Sequence, residues 1–421
     1  MKKNKMPAIV HLAVFCCSLI LFSGCFKDAV PKTQRVTYTL YTPIYGNKAN
    51  VLTEINGDVN EPVDNTGKIY IKDNFIYLNE VDKGIHIIDN SDPAHPQQIA
   101  FLNIPGNLDI AVKGNTLYAD MYSELLAIDI TNPKQVTISS QLRGIFTNRL
   151  YVNGVYTDSS QIVTGWLTRD TTIIVDIAQP ECINCYFDLA AGGVKALSSS
   201  STGGNGVAGS MAAMVLINDY LYAITEMHTL GIINVSDEAS PSFVSSMFAG
   251  FDLETIYPFE DKLFLGSAIG MFMYDVSDPE HPLQLGQFEH GRACDPVVTD
   301  GNYAYITLHG GTACGGDDNE LNIVDIKNLM QPVLVKTYPM TKPNGLCKDG
   351  DLLFICDGPD GVKLYDAANA ADIKLLKQID CNEPYDIIAG DKKALVVAKD
   401  GLYQYDYSNL NNIRLISVFA L

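Results

Sequence analysis

The sequence has little positive charge, and this shortage limits what the protein can bind. Its 421 residues include 29 lysines and arginines against 49 aspartates and glutamates, which gives a formal net charge of -20 at pH 7. Such an excess of negative charge disfavours binding to nucleic acids and to anionic lipids through basic patches, because their phosphates would be repelled. We therefore expect no nucleic-acid partner.

Long hydrophobic runs are also missing beyond residue 25. The one extended apolar run, Ala8 to Phe22, is shorter than the roughly 20 residues that a membrane-spanning helix needs. It follows three lysines near the N-terminus and precedes the sequence Ser23-Gly24-Cys25. A basic segment, an apolar run and small residues before a cysteine are typical of a lipoprotein signal peptide rather than of a transmembrane anchor.

The N-terminal pattern predicts where the protein resides. We expect residues 1–24 to be removed as a signal peptide and Cys25 to carry acyl chains, palmitate among them, that hold the mature protein on a membrane. Phe22 stands where leucine is usual, a variation that resembles lipoproteins of Bacteroidetes-type bacteria. The expected location is the cell envelope, at the outer membrane. Residues 26–28 contain only one acid, which does not decide whether the protein faces the periplasm or the cell surface.

From residue 69 onward the sequence repeats a unit of four predicted strands. Each unit has an apolar strand, a turn rich in Gly, Asn and Asp, a second apolar strand, a third strand ending in Asp or Asn, and a last strand after a polar turn. Seven stretches fit this description: Ile69–Ile104, Leu108–Leu142, Ala213–Phe248, Thr255–Phe288, Pro296–Tyr338, Leu346–Ile379 and Ile387–Phe419.

The residues that end the third strands give the repeat its period. They are Asp89, Asp129, Asn234, Asp275, Asp325, Asp366 and Asp406. Leaving aside the long gap after the second, neighbours are 40, 41, 50, 41 and 40 residues apart. Four strands in about 40 to 45 residues make one blade of a β-propeller. We predict an all-β protein with a seven-bladed propeller at residues 69–421, in which these side chains form Asx turns rather than a metal-binding ring.

The polar turns of these units resemble a known repeat. The stretches Ile-Ile-Asp89-Asn-Ser-Asp-Pro93, Ile-Asp129-Ile-Thr-Asn-Pro133 and Tyr-Asp275-Val-Ser-Asp-Pro279 are similar to the LVIVD repeat of bacterial and archaeal surface proteins. The resemblance covers almost the whole chain after the signal peptide and implies the propeller fold. It implies little about activity, because propellers host binding proteins and enzymes alike.

Two segments depart from the repeat. Residues 25–68 form a lipidated lead-in, with Val51–Ile55 as a candidate strand for closing the ring. Residues 143–211 form an insertion between the second and third blades, in which Gln161–Leu167 and Thr172–Ile177 are expected to pair as a β-hairpin before a Ser- and Gly-rich loop. The alternative is that this insertion forms an eighth blade. Insertions between repeats gather on one face, often the binding face.

Several charged residues open first strands, which line the central channel of a propeller. The acids are Asp109, Glu254, Asp295 and Asp386, and Arg292 and His309 are expected to project onto the same face. Carboxylates that meet at one channel mouth raise each other's pKa or bind a cation such as Ca²⁺. The sequence thus offers a candidate cation or ligand site. The alternative is that each carboxylate caps backbone N–H groups at a turn.

Seven cysteines follow Cys25, and an odd number leaves at least one without a partner in the chain. Cys182 and Cys185 form a CxxC that lacks the second pair or the histidines a zinc site needs. Cys294 precedes the first strand of the fifth unit and Cys314 follows its second strand, so both reach one face and are predicted to form a disulfide. The other three alternate with apolar residues in strands and are expected to be buried thiols.

Sequence motifs for catalysis are scarce. None of the seven histidines lies in an HExxH motif, and the serine run at residues 198–201 is linker sequence rather than a nucleophile elbow. The first hypothesis is a non-enzymatic, lipid-anchored propeller, without a cofactor, that binds a protein or glycan partner through loops on one face. The second is a hydrolase or lyase with a cation-dependent site built from the channel-mouth acids.

Overall fold

The computed structural model describes residues 33–157, 161–176, 207–293, 296–311, 316 and 318–420. The chain forms two compact units. The described part of the smaller unit consists of residues 33–40 and 168–176, and the larger unit holds the rest of the described chain. Within these ranges, no helix is both long enough and apolar enough to cross a membrane.

The larger unit contains seven antiparallel sheets, each built on four strands that are consecutive along the chain, and a short fifth strand at residues 207–208 joins the first of these sheets. This arrangement confirms the predicted all-β, seven-bladed propeller, and the described residues do not form an eighth blade. Blades 1 to 3 consist of β2 (Thr66–Lys72), β3 (Phe75–Glu80), β4 (Gly84–Asp89) and β5 (Gln97–Asn103); β6 (Ile110–Lys113), β7 (Thr116–Met121), β8 (Glu124–Asp129) and β9 (Thr137–Leu142); and β14 (Met214–Ile217), β15 (Tyr220–Glu226), β16 (Thr229–Asn234) and β17 (Ser242–Phe248).

The remaining four blades follow the same order. They consist of β18 (Leu253–Phe259), β19 (Lys262–Ser267), β20 (Gly270–Asp275) and β21 (Leu283–Glu289); β22 (Val297–Thr299), β23 (Tyr303–His309), β24 (Asn319–Asp325) and β25 (Val333–Pro339); β26 (Leu346–Asp349), β27 (Leu352–Cys356), β28 (Val362–Asp366) and β29 (Lys374–Ile379); and β30 (Pro384–Gly390), β31 (Lys393–Ala398), β32 (Gly401–Asp406) and β33 (Arg414–Ala420).

The apolar pattern of each unit explains the position of its strands. The second and third strands, such as β19 and β20, are buried almost throughout, because both of their faces pack against neighbouring blades. The fourth strand, such as β21 or β25, is mostly exposed at the rim, and a β-bulge interrupts its pairing with the third strand. The core therefore lies between neighbouring blades, in clusters of buried residues that each draw on two or more blades.

The turn after each third strand has the predicted Asx geometry. In all seven blades the side-chain oxygen of the terminal Asp or Asn accepts a hydrogen bond from the backbone N–H two residues further on, at 2.8–3.0 Å. This bond satisfies a backbone donor where the chain reverses direction. The six aspartates and Asn234 therefore stabilise seven separate turns.

Among the described strands, none is exchanged where the ring closes between blades 7 and 1. Ile69 of blade 1 packs with Val397 and Leu402 of blade 7 in one buried cluster. Gln404 Nε2 donates to Asn90 Oδ1 at 2.7 Å, and Asn90 Nδ2 donates back to Gln404 Oε1 at 3.1 Å. Side-chain packing and this pair of amide hydrogen bonds thus join the first and last blades.

The lead-in folds differently from the prediction. A long strand, β1 (Thr33–Asn47), precedes a short helix, α1 (Lys48–Thr53), so the prediction of a strand at Val51–Ile55 is wrong. The helix begins here because the Asn47 side chain accepts a backbone N–H of its first turn. Beyond the helix, Gly57 N–H donates to Phe101 O at 2.8 Å in the outer strand of blade 1. The lead-in therefore extends blade 1 instead of closing the ring.

The insertion contains a hairpin at a different position from the predicted one. Strand β10 (Tyr151–Val152) pairs with β11 (Val155–Tyr156) around a tight turn. The two segments that were expected to pair with each other instead form one strand, β12 (Gln161–Asp176), which pairs with β1. The reason is local, because the residues at 168–171 include no Gly, Asn or Pro that would favour a two-residue turn.

Candidate functional site: the central channel and the loop face

A short segment of chain crosses the central channel just before blade 3. Strand β13 (Val207–Ala208) pairs with β2 on the channel side of blade 1. Next along the chain, Gly209 N–H donates to Ile69 O in the same blade at 3.1 Å. Ala212 is buried, and its carbonyl accepts from Ile256 N–H of blade 4 at 2.7 Å. Residues 207–213, the channel segment, therefore lie where the sequence suggested a mouth lined by four acids.

Asp386 of blade 7 holds the channel segment from one side. Its Oδ1 accepts hydrogen bonds from Ser210 N–H at 3.0 Å, from the Ser210 hydroxyl at 3.1 Å and from Ile387 N–H at 2.9 Å. The Ser210 hydroxyl oxygen in turn accepts from Leu346 N–H of blade 6 at 2.8 Å. The Asp386 carboxylate thus connects the segment to blade 7, and the Ser210 hydroxyl connects it to blade 6.

The second oxygen of Asp386 has a different environment. Oδ2 is buried and has no hydrogen-bond partner among the described residues. Burial raises the pKa of Asp386 to about 7, although hydrogen bonds from backbone N–H groups and from the Ser210 hydroxyl, together with the positive charge of Lys68, oppose this shift. The carboxyl group therefore titrates close to neutral pH.

Asp109 of blade 2 holds the channel segment from the other side. Its Oδ2 accepts from Ala213 N–H at 2.7 Å and lies 2.6 Å from Lys68 Nζ, while Oδ1 accepts from Ile110 N–H at 2.8 Å. The Lys68 and Asp109 side chains are only 4% and 8% exposed. Desolvation lowers the pKa of Lys68 and raises that of Asp109, and the attraction between the two groups opposes both shifts. This ion pair joins blades 1 and 2 beside the channel.

Hydrogen bonds among buried polar groups hold the turn that contains Asp109. Asp120 Oδ1 accepts from Leu108 N–H at 2.9 Å, from Asp109 N–H at 2.7 Å and from Asn107 Nδ2 at 2.9 Å. Asn79 of blade 1 donates to Asn107 Oδ1 at 2.7 Å. Burial raises the pKa of Asp120 to about 6. Sequence reasoning missed Asp120 because it lies within a second strand, far from any turn signal.

The other charged residues that the sequence singled out lie elsewhere on the loop face, the end of the propeller where first strands begin and fourth strands finish. Glu254 is half-buried at the bulge that opens β18. Arg292 is exposed and lies 3.0 Å from Asp252. His309 Nδ1 lies 3.0 Å from Asn344 Oδ1. Of the six candidate residues, the structure brings Asp109 and Asp386 to the channel segment.

Some predicted residues lie outside the described parts of the chain. They are Cys25, Cys182, Cys185, Asp295 and the proposed disulfide partners Cys294 and Cys314. Among the described residues, no group of three or more His, Cys, Asp or Glu side chains is arranged to hold a metal ion. The Ca²⁺ site therefore stays a prediction.

The loop face also carries an exposed aromatic cluster between blades 3 and 4, consisting of His228, Phe248 and Phe251, and the exposed Met227 precedes His228 in the chain. The two phenylalanine rings meet edge to face with centroids 5.1 Å apart, and the His228 ring lies 5.4 Å from Phe251. The side chains of Phe248, Phe251 and Met227 are 58%, 55% and 55% exposed. A contiguous apolar patch of this kind on a folded surface marks an interaction site.

Polar groups border the aromatic cluster. Asp252 N–H donates to His228 Nδ1 at 3.1 Å, and Arg292 lies on the other side of Asp252 as its ion-pair partner. The sequence gave no sign of this cluster, because its members come from two separate turns. Trp166, around which an aromatic patch was expected, is half-buried and meets Tyr41 edge-on at 6.1 Å.

Comparison with known proteins now gives the repeat a name. Residues 65–100, 107–142 and 290–340 each match the LVIVD repeat. Three stretches of the chain are thus similar to LVIVD repeats. The three matches correspond to blades 1, 2 and 5 of the ring. No curated protein sequence matches the chain.

Solved structures with a similar fold are numerous. The periplasmic gluconolactonase PpgL of Pseudomonas aeruginosa has a TM-score of 0.52 at 11% identity, covering 81% of this chain and 93% of that one. Sqt1 of Saccharomyces cerevisiae has a TM-score of 0.50 at 10% identity, with 85% and 86% covered. The computationally designed protein Ika8 has a TM-score of 0.50 at 9% identity, with 85% and 87% covered. At these identities the likeness establishes the fold alone.

The cysteines of the later blades fit the packing of the propeller. Cys356 is buried, Cys347 and Cys381 are half-buried, and all three are free thiols. Burial raises the pKa of Cys347 and of Cys381 to about 12, so their reactive thiolate forms are scarce at neutral pH. Cys381 also lines a polar cavity of about 360 Å³ beside Asp380 and Tyr403. The expected burial is confirmed at Cys356, whereas Cys347 and Cys381 are only half-buried.

A pH titration of stability tests the environment of Asp386. Its folded pKa of about 7 lies above the ordinary value of 3.8. Between these two pH values the Asp386 carboxyl group is protonated in the folded protein and ionised in the unfolded chain. The free energy of unfolding therefore falls as pH rises, by about 1.4 kcal/mol per pH unit. Asp386→Asn removes the contribution of this carboxyl group and leaves that of Asp120. We therefore expect denaturant titrations of this variant to give a flatter stability profile than wild type across that interval.

The control for this titration is Asp351→Asn, which changes an exposed carboxylate. Its profile should follow that of the wild type. If Asp386→Asn and wild type lose stability at the same rate as pH rises, then Asp386 does not carry the extra proton.

Proposed function

We propose that the protein is an exported lipoprotein whose LVIVD propeller binds a protein partner through its loop face and catalyses no reaction. The order of basic, apolar and small residues before Cys25 supports removal of residues 1–24 and acylation of that cysteine. The outer membrane is the proposed site of anchoring. The stacked blades supply a rigid platform on which connecting loops present side chains to a partner.

The aromatic cluster is the observation that carries this proposal. Aromatic residues, methionine and arginine are enriched at protein interfaces, and an apolar centre with a polar rim is the usual arrangement. Phe248, Phe251 and Met227 form such a centre, and the ion pair between Asp252 and Arg292 lies at its edge. Burying these exposed side chains against a partner would be favourable by roughly 25 cal/mol for each Å² of apolar surface.

The ring geometry favours a protein over a glycan as the partner. A sugar stacks on the flat face of one aromatic ring. The planes of Phe248 and Phe251 are inclined by 73°, so the cluster presents a ridged surface instead of one flat platform. Apolar side chains of a protein can interdigitate with such a surface.

The use of the channel acids also favours a scaffold over a hydrolase or lyase. Asp109 directs its oxygens to two backbone N–H groups and to Lys68, and Asp386 directs one oxygen to the channel segment. Both side chains are buried. In these contacts the two carboxylates cap backbone N–H groups and hold the blades together. This supports a structural role for the channel acids instead of a catalytic one.

Site-specific photo-cross-linking tests the proposed binding face. The full-length protein is produced in its own bacterium with p-benzoylphenylalanine in place of Phe251, and illuminated. We expect a discrete protein adduct, because this position lies within the proposed interface. The matched control places the same group at Met330, which is 76% exposed in the turn between β24 and β25 at the opposite end of the propeller.

The outcomes of this experiment separate the possibilities. An adduct at position 251 that is absent at 330, and that weakens when Phe248→Ser is added, supports the interface. The same adducts at both positions, or none at 251, contradict it. An adduct that glycosidase digestion removes would show that the cluster binds a glycan instead of a protein.

A further inference from the structure

The charged residues around the aromatic cluster are mostly acidic. Three stretches of chain border the cluster: the turn at residues 226–229, the link at 249–254, and the link at 289–293, which reaches it through an ion pair. Together these stretches hold four acidic residues and one arginine, which are Glu226, Asp252, Glu254, Glu289 and Arg292. The apolar centre of the proposed interface therefore lies among an excess of carboxylates.

Backbone hydrogen bonds hold the first two of these stretches against each other. Ala249 N–H donates to His228 O at 2.9 Å, and Leu253 N–H donates to Met227 O at 2.7 Å. The rings of the cluster and the carboxylates beside them therefore have fixed relative positions. A partner meets a surface that is already ordered, so little conformational freedom is lost when it binds.

The one arginine in these stretches does not balance the negative charge. Arg292 Nη2 lies 3.0 Å from Asp252 Oδ2, so its charge offsets that of one carboxylate. A further acid lies close to it, because a Cβ added at Gly291 would be 3.5 Å from Asp318 Oδ2. The exposed Glu226 accepts a hydrogen bond from the Thr147 hydroxyl, which is a neutral group. Negative charge thus remains on both sides of the cluster.

The charge around the cluster restricts what can cover it. Carboxylates of a partner would be repelled, whereas its lysine or arginine side chains would be attracted to the rim. A cationic group can also lie over the exposed face of Phe248 or Phe251, where the electron density of the ring attracts it. The exposed rings and the surplus carboxylates therefore favour the same side chains in the partner.

We propose that the protein partner docks with a basic segment, in which an apolar side chain packs on Phe248 and Phe251 while neighbouring lysine or arginine side chains meet Glu226 and Glu289. This inference rests on the proposed binding of a protein at the aromatic cluster, and it specifies the chemistry of that protein. An acidic segment with the same apolar side chain is rejected, because its carboxylates would face those of the rim.

Charge reversal combined with photo-cross-linking tests this inference. The full-length protein carries p-benzoylphenylalanine at position 251 in its own bacterium, and Glu226→Lys with Glu289→Lys reverses two exposed charges without changing the rings. The matched control, Glu260→Lys with Asp278→Lys, makes the same change in net charge at exposed positions in turns at the opposite end of the propeller. Circular dichroism of each purified variant verifies that it is folded.

We expect reversal at the cluster to lower the adduct yield by about threefold or more, because each exposed ion pair contributes modestly to binding and reversal turns attraction into repulsion. The control should leave the yield unchanged. Mass spectrometry should place the adduct in a segment of the partner that has more lysine and arginine than aspartate and glutamate. An unchanged yield, an equal loss in the control, or attachment to an acidic segment would overturn the inference. Glu226→Gln with Glu289→Gln should lower the yield in the same direction, and covers the case in which the reversed variant folds poorly.

The yield obtained with the natural charges separates this inference from the proposal on which it rests. If the probe at position 251 forms no protein adduct, both the proposed binding face and the basic partner are refuted. If it forms an adduct whose yield does not respond to charge reversal at the cluster, the basic partner is refuted and the binding face stands.

Discussion

Lys68→Met is expected to lower the free energy of unfolding by about 3–5 kcal/mol, which is the usual cost of breaking a buried ion pair by removing one partner. The substitution leaves the Asp109 carboxylate buried, with backbone N–H groups as its remaining partners. Chemical denaturation of the mature protein, followed by circular dichroism, measures the loss. The pair lies beside the channel segment, so we also expect residues 207–213 to exchange their amide hydrogens faster.

A matched lysine substitution shows whether burial is the cause. Lys399 pairs with Glu383 at 3.0 Å, but the two side chains are 62% and 48% exposed. Lys399→Met should therefore change stability little, because water screens exposed pairs. The double variant Lys68→Met with Asp109→Asn should recover part of the loss. Equal losses at the two lysines would contradict a structural role for the buried pair.

Gly345→Ala is expected to destabilise the protein by about 3 kcal/mol, since overpacking a tight site costs roughly 1–3 kcal/mol before any hydrogen bond is lost. A Cβ at this position would lie 2.4 Å from Asp386 Oδ1, 2.9 Å from Asp386 Cα and 3.0 Å from the Ser210 hydroxyl oxygen. The neighbours must move apart, which breaks the hydrogen bonds that hold the channel segment. Thermal melting measures the effect on stability.

The control for this prediction is Gly390→Ala, at a position where an added Cβ has no atom within 4 Å. Both glycines lie in the last two blades, and both substitutions add the same methyl group. We expect the control to melt close to the wild type. If the two variants melt together, the contact between Asp386 and the channel segment does not constrain the fold.

The blades were predictable from the sequence because their signals are local and repeated. Each unit carries its own apolar strands, and an Asp or Asn such as Asp129 is followed two residues later by the N–H that it accepts. Seven copies of one pattern reinforce each other, whereas any single copy would be ambiguous. The same reasoning failed for β12 and α1, which occur once. Their structures depend on a pairing with β1 and on a cap at Asn47, both outside the repeat.

The candidate site was predictable only in part. Asp109 and Asp386 stood out because each opens a first strand, and both are close to the channel. Their partners did not stand out, because Ser210 and Ala213 belong to a segment without the repeat pattern and lie more than a hundred residues away in the chain. A pairing at such a separation leaves no periodic signal in the sequence.

The contrast between the buried network and the exposed cluster bears directly on function. The polar side chains at the channel form hydrogen bonds and ion pairs that join neighbouring blades. On the loop face, some apolar side chains are not covered by other residues of the fold. Phe248 and Phe251 leave more than half of their surface in water, which is unusual for side chains of this size unless another molecule covers them. Binding at this cluster is therefore the function that the described residues support best.

The most direct test of this conclusion is to map the position at which a partner contacts the chain. Photo-cross-linkers at Phe251, at Met330 and at Tyr403 beside the polar cavity sample three surfaces of the same protein in the same cells. We expect a protein adduct at 251 alone, with mass spectrometry assigning the same partner when the probe is moved to Phe248. An adduct at 403 or 330 without one at 251 would show that the partner binds another surface, and would contradict the proposed interface.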